Sequence, residues 1–106
     1  MNQWEVWTWK FPHGTHPAVI LTSPAWLHLP DINILACTSQ EVRRAPDAHE
    51  VLLDQADGLD WPTLCRCHRI WSAPRAELIQ RRGVLTRERR RQVGDKLIRV
   101  FGLYLD

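Results

Sequence analysis

The chain has 106 residues, 44% of them hydrophobic and 25% charged, with a net charge of +2 at neutral pH. That is the composition of one ordinary globular domain spanning 1–106. Charges or prolines interrupt every apolar run before it reaches the length of a transmembrane helix, Met1–Glu5 lacks a basic-then-apolar leader, and three cysteines make no disulfide framework, so a cytoplasmic protein without membrane contact is expected.

The elements follow from patterning. Residues 3–11 predict a first strand with Trp7, Trp9 and Phe11 on one face, and residues 12–17 a turn rich in proline and glycine. Residues 18–22 form a short buried strand, after which Ser23 caps and Pro24 opens a single helical turn. A third strand, 31–38, ends in the polar triplet Thr38-Ser39-Gln40. A loop over 43–47 leads to a fourth strand, 48–53, and a turn-rich connection over 54–62.

Residues 63–71 alternate strictly: Leu64, Arg66, His68 and Ile70 point one way, Cys65, Cys67, Arg69 and Trp71 the other. Ser72–Arg75 reads as a break, and 77–85 holds a last short strand around Gly83. Thr86 then caps a helix, with Glu88 in its first turn; Val93, Leu97, Val100 or Phe101, and Tyr104 fall on the face toward the sheet. Short strands, tight turns and one closing helix predict a mainly β fold, a small and strongly curved antiparallel barrel.

The charge is unevenly spread. Residues 1–60 carry three basic side chains against eight acids, and residues 61–106 eleven against four. A basic second half suits a polyanion or an acidic protein partner. Arg66 and His68 project side by side, a guanidinium able to hold a phosphate next to an imidazole able to move a proton. Cys37, Cys65 and Cys67 with His49 or His68 make a poor zinc set. The single-residue spacing is not that of a zinc knuckle, and both strand cysteines face away from His68. No metal and no cofactor is expected.

One ordered series of segments stands out: a glycine-bearing loop, His16-Pro17-Ala18-Val19-Ile20-Leu21, a strand ending Cys37-Thr38-Ser39, then Val51-Leu52-Leu53-Asp54. Leu64-Cys65-Arg66-Cys67-His68-Arg69-Ile70, Leu85-Thr86 at a helix start, and Phe101-Gly102-Leu103 complete it. The series resembles the MazF/PemK toxins of bacterial toxin–antitoxin pairs over nearly the whole chain. The resemblance implies an SH3-like barrel with a helix, a homodimer, and metal-independent endoribonuclease activity on single-stranded RNA, blocked by a cognate antitoxin. It also implies roles for residues. Thr38 matches the family's strand-closing threonine and Arg66 its catalytic strand arginine. His68 replaces an acid, His16 replaces the loop arginine before the proline, and His13 stands for a loop histidine.

Metal-free RNA cleavage needs a base, an acid and donors to the phosphoryl oxygens. His16 or His13 is expected to share acid–base work with His68, while Arg66 steadies phosphorane charge and Thr38 donates to it. Ser39, Gln40, His13 and Arg69 are the expected substrate contacts. Of the six tryptophans, Trp9, Trp26, Trp61 and Trp71 are candidates for base stacking, and the arginines of 81–82 and 87–91 for backbone phosphates. Two other readings fit the pattern: a related binding module that has lost the chemistry, and a CcdB-like toxin aimed at a topoisomerase.

Overall fold

The computed structural model describes residues 1–38 and 44–103. Six strands form one sheet: β1 (Glu5–Phe11), β2 (Gly14–Ile20), β3 (Asp31–Cys37), β4 (Glu50–Leu53), β5 (Thr63–Pro74) and β6 (Leu78–Val84). Their order across the sheet is β4-β5-β3-β2-β1-β6, with each neighbouring pair antiparallel. One helix, α1 (Arg87–Phe101), packs on β4 and β5. The mainly β fold with a C-terminal helix is therefore present; the sheet stays open, with β4 and β6 at its edges.

Period-two alternation gives the sheet a core on each face. Val19, Leu35, Cys65 and Cys67 pack toward Leu85 and Val93 on the helix side. Ala18, Ile20, Ile32 and Ile34 pack with Trp9, Ala73 and Leu78 on the other. Burial on both faces is why 18–20 and 34–36 read as unbroken apolar runs. Each fully buried leucine or isoleucine here contributes about 1.5–3 kcal/mol.

Several strand limits differ from expectation: β1 starts at Glu5 rather than residue 3, β4 at Glu50 rather than residue 48, and two further differences have identifiable reasons. The turn expected over 12–17 contracts to Pro12-His13, because β2 begins at Gly14 and carries His16 and Pro17 opposite Trp9 and Thr8. Proline is tolerated there because β3 pairs with β2 only from Ala18 onward, so no β3 partner needs the missing N–H. The break expected at Ser72 is absent: β3 holds β5 in register through Ala73 and Pro74, and Ala73 is buried.

The helix ends as its sequence predicts. The Thr86 hydroxyl accepts from Arg89 N at 3.2 Å, and Gly102, at φ +61°, donates its N–H to Ile98 O. Val93 is buried and Leu97 packs beside it, whereas Phe101 is exposed; Tyr104 lies outside the described residues. The buried Asp57 carboxylate accepts from Asp54 N, Thr86 N and Arg89 Nε, which ties the 54–62 connection to the helix start. Gly58 presses that connection onto β6: it sits at φ +92°, and a Cβ on it would lie 2.5 Å from Arg82 O.

Candidate active site

A long bulge in β5 builds the most chemically loaded rim of the molecule. Cys37 pairs with Cys65 and Leu35 with Ile70, so Arg66, Cys67, His68 and Arg69 stand opposite Ala36 alone. Extra residues in one strand swing their side chains out of the ladder, a geometry common beside active sites. Arg66 faces Glu50 of β4, with Nε 3.9 Å from the carboxylate and 37% of its side chain exposed. His68 is exposed and packs edge-to-face on His49, ring centroids 4.2 Å apart. Cys67 N donates to His49 O at 3.0 Å, which fixes the His49 turn to the bulge.

Glu50 anchors this rim. Its buried carboxylate accepts both Arg44 terminal nitrogens, at 2.7 and 2.9 Å, and Asp47 N at 2.9 Å. The Arg44 guanidinium holds the carboxyl at a pKa of about 2 against the cost of burial, with help from Asp47 N–H and the His49 charge. Arg44 thus answers most of the charge, and the more distant Arg66 keeps donors for another anion. Partial desolvation, then the neighbouring His49 ring and the Arg69 and Arg66 guanidiniums, push the exposed His68 imidazole below its ordinary value, against the pull of Glu50. An imidazole shifted in this direction is more readily left neutral and able to accept a proton.

Thr38 closes the same stretch of sheet. Its N–H donates to Leu64 O at 3.0 Å and its hydroxyl accepts from Leu64 N at 3.2 Å. The hydroxyl oxygen is thereby held against β5 two residues before Arg66, and that bond leaves its proton to donate elsewhere.

His16 occupies a different setting, across β3 on β2. Its ring stacks on Phe11 at 5.4 Å and 7°, and its buried Nδ1 has no partner. It walls a cavity of about 140 Å³ together with Thr8, Thr15, Asp60, Trp61, Thr63 and Arg82. Arg82 is tied to Asp60 at 2.9 Å. His13 is exposed at the tip of the β1–β2 turn, and Arg69 is exposed on the bulge. Ser39 and Gln40 lie outside the described residues. Arg66, His68 and Arg69 therefore follow one another on the β5 bulge and Thr38 is bonded to Leu64 of the same strand, while His16 lines a cleft that includes none of these four.

His49 is the residue that sequence reasoning missed as a partner of His68. Its pattern marked a strand start, and only the pairing of β4 with β5 brings the two rings together. The cysteines behave as core. Cys37 and burial raise the Cys65 thiol, and Cys65 and burial raise that of Cys67, so both stay protonated. Among the described residues, Asp47, His49 and Glu50 bring ligand atoms within 4.8 Å of one another, but Arg44 bridges both carboxylates and already supplies the cation there.

The family profile described as "PemK-like, MazF-like toxin of type II toxin-antitoxin system" matches residues 2–101. The chain belongs to this family. No curated protein sequence matches this PemK/MazF-like toxin significantly. Among solved structures it superposes on the Mycobacterium tuberculosis toxin MazF-mt6 with a TM-score of 0.81 at 22% identity, over 95% of this chain and 99% of that one. An endoribonuclease in complex with its cognate antitoxin, from a mycobacterial species, gives 0.83 at 20% identity, over 100% and 99%. The MazE-MazF structure from Deinococcus radiodurans gives 0.79 at 17%, over 98% and 97%. At these identities the likeness is one of fold, and it extends over the full length of both partners. No helix of this PemK/MazF-like toxin, among the described residues, is long and apolar enough to cross a membrane.

Proposed function

We propose that the chain is a metal-independent endoribonuclease of the cytoplasm that cuts single-stranded RNA as a homodimer and is silenced by a cognate antitoxin. Family membership over residues 2–101 supports the toxin role, and a structural neighbour of matching length is an endoribonuclease bound to its antitoxin. What supports the chemistry is the β5 bulge, which carries Arg66 facing Glu50 and His68 packed on His49, with the Thr38 hydroxyl held by Leu64 of the same strand.

The division of labour follows from the chemistry of the groups. Neutral His68 accepts the ribose 2′-hydroxyl proton, and the 2′-oxygen attacks phosphorus. Arg66, permanently charged and half exposed, binds the non-bridging oxygens as negative charge grows, and the Thr38 proton adds a second donor. Arg69 meets a flanking phosphate. The P–O5′ bond breaks as the leaving oxygen takes a proton from an acid or from solvent, giving a 2′,3′-cyclic phosphate and a 5′-hydroxyl with no water consumed. His13, Ser39 and Gln40 serve substrate binding; His16, expected from the sequence to share the acid–base work, is assigned to binding as well, because its stacked ring and buried Nδ1 line a cleft edged by Trp61.

Purified, antitoxin-free protein is incubated with a defined oligoribonucleotide in EDTA. Products ending in 2′,3′-cyclic phosphate are expected, and their absence at micromolar protein would refute the ribonuclease reading. Growth arrest on expression without such products would then favour a toxin with another target.

A further inference from the structure

We propose that His49 is the second acid–base catalyst of the RNA cleavage, acting with His68 as a pair of imidazoles on either side of one phosphodiester. The inference rests on the ribonuclease reading and names a residue within that site. Transesterification needs a base at the 2′-oxygen and an acid at the 5′-oxygen, and one imidazole cannot meet both oxygens at once because they lie on opposite sides of phosphorus. The β5 bulge supplies His68, and the turn before β4 supplies His49 at a ring separation of 4.2 Å.

The pair is built rather than incidental. Cys67 N, from inside the bulge, bonds His49 O, so the backbone carrying one ring holds the backbone carrying the other. Glu50, next in sequence to His49, is locked by Arg44 and Asp47 N and faces Arg66. The charged groups around the rings are thus Glu50, Asp47 and Arg44 on the β4 side and Arg66 and Arg69 on the β5 side. His68 is exposed and His49 half-buried, so rotation of the outer ring opens the pair to admit a phosphate.

Two imidazoles this close resist carrying two positive charges at once, and the chemistry asks for one neutral and one protonated ring. That is the state the reaction uses. The neutral ring takes the 2′-hydroxyl proton as the 2′-O–P bond forms, and the protonated ring gives its proton to the leaving 5′-oxygen as the P–O5′ bond breaks. The two rings exchange protonation states, and solvent resets them. No oxidant, metal or co-reactant is required.

The test uses the full chain free of antitoxin, a defined oligoribonucleotide in EDTA, and two substitutions. His49→Ala removes the ring, and His49→Phe keeps an aromatic edge against His68 without a nitrogen. Both are expected to lower kcat about 10²-fold or more, with KM within about threefold, and to erase one limb of a bell-shaped pH–rate profile. Circular dichroism and Tm of the phenylalanine variant are expected to match wild type. In a binding experiment with a 2′-deoxy oligonucleotide, which cannot be cut, the ring resonances of His49 and His68 are expected to shift together and saturate. A folded His49→Phe protein that cuts RNA at the wild-type rate with both pH limbs would overturn the inference and leave the ribonuclease reading standing. Ring resonances unmoved by saturating oligonucleotide would also overturn it. A wild-type protein that cuts nothing overturns the reading and the inference together.

Discussion

His68 and His16 sit on one sheet in opposite circumstances. His68 stands on a bulge, exposed, with a second imidazole, two guanidiniums and a buried carboxylate around it. His16 lies in a regular ladder opposite Trp9, flat against Phe11, with its Nδ1 shut away from any partner. Proton transfer needs a ring whose protonation state can change and whose nitrogen can reach a ribose or phosphate oxygen. The rim at β4 and β5 presents an exposed imidazole among charged groups, whereas the cleft at β2 offers enclosure, a stacking edge at Trp61 and a tethered cation at Arg82. The difference teaches that two histidines of one sheet can differ sharply in exposure and in the charges around them.

Substitution breaks or sharpens that contrast. The largest effect is expected from His68→Ala, which should lower kcat for RNA cleavage by about 10²–10⁴-fold with little change in Tm, since the side chain is exposed. Arg66→Ala comes next, at about 10²–10³-fold in kcat/KM, the scale of losing a donor to a developing oxyanion. Arg66→Lys should restore only part of this, because an ammonium does not offer the planar fork. Both are read from initial rates on one oligoribonucleotide. Equal losses from His16→Ala would erase the distinction between rim and cleft.

The cleft is sensitive instead to its wall. Gly58→Ala puts a methyl 2.5 Å from Arg82 O at a φ of +92°, so a loss of about 2 kcal/mol is expected. In a domain of this size that is a fall in Tm of roughly 8–16 °C. A smaller effect on the rim is expected from Glu50→Gln. The native pKa of Glu50, about 2, lies below its ordinary 4.5, so its ionised form stabilises the fold above about pH 4.5 and that contribution is lost as pH falls toward 2. Wild type should therefore lose Tm across that window more steeply than Glu50→Gln, as thermal melts at pH 2.5 and 6 would show. His16→Ala is expected to do least, raising KM about threefold to tenfold with kcat nearly kept, as suits a residue that lines a binding cleft.

Much of the fold was legible because its signals are local. The alternation of Leu64 to Trp71, the apolar runs at 18–22 and 31–37, Thr86 as cap and Gly102 as stop each act within a few residues. The strand limits at Gly14 and Pro74 were not legible, because they depend on where β3 starts and stops covering its neighbours. The site was half legible. Arg66 and His68 on one side of a strand follow from period two, and Thr38 at a strand end from its polar neighbours.

The sequence by itself determined a mainly β fold, its closing helix, the family, and a guanidinium and imidazole side by side on β5. Only the tertiary structure decided that β5 bulges against β3, that β4 pairs with it, and that His49 rather than His16 therefore meets His68 within one chain. The physical reason is range. Side-chain alternation and capping are set by neighbouring residues along the backbone, whereas a bulge, a strand partner and the electric field at an imidazole are set by segments distant in sequence, brought together by burial of the shared core.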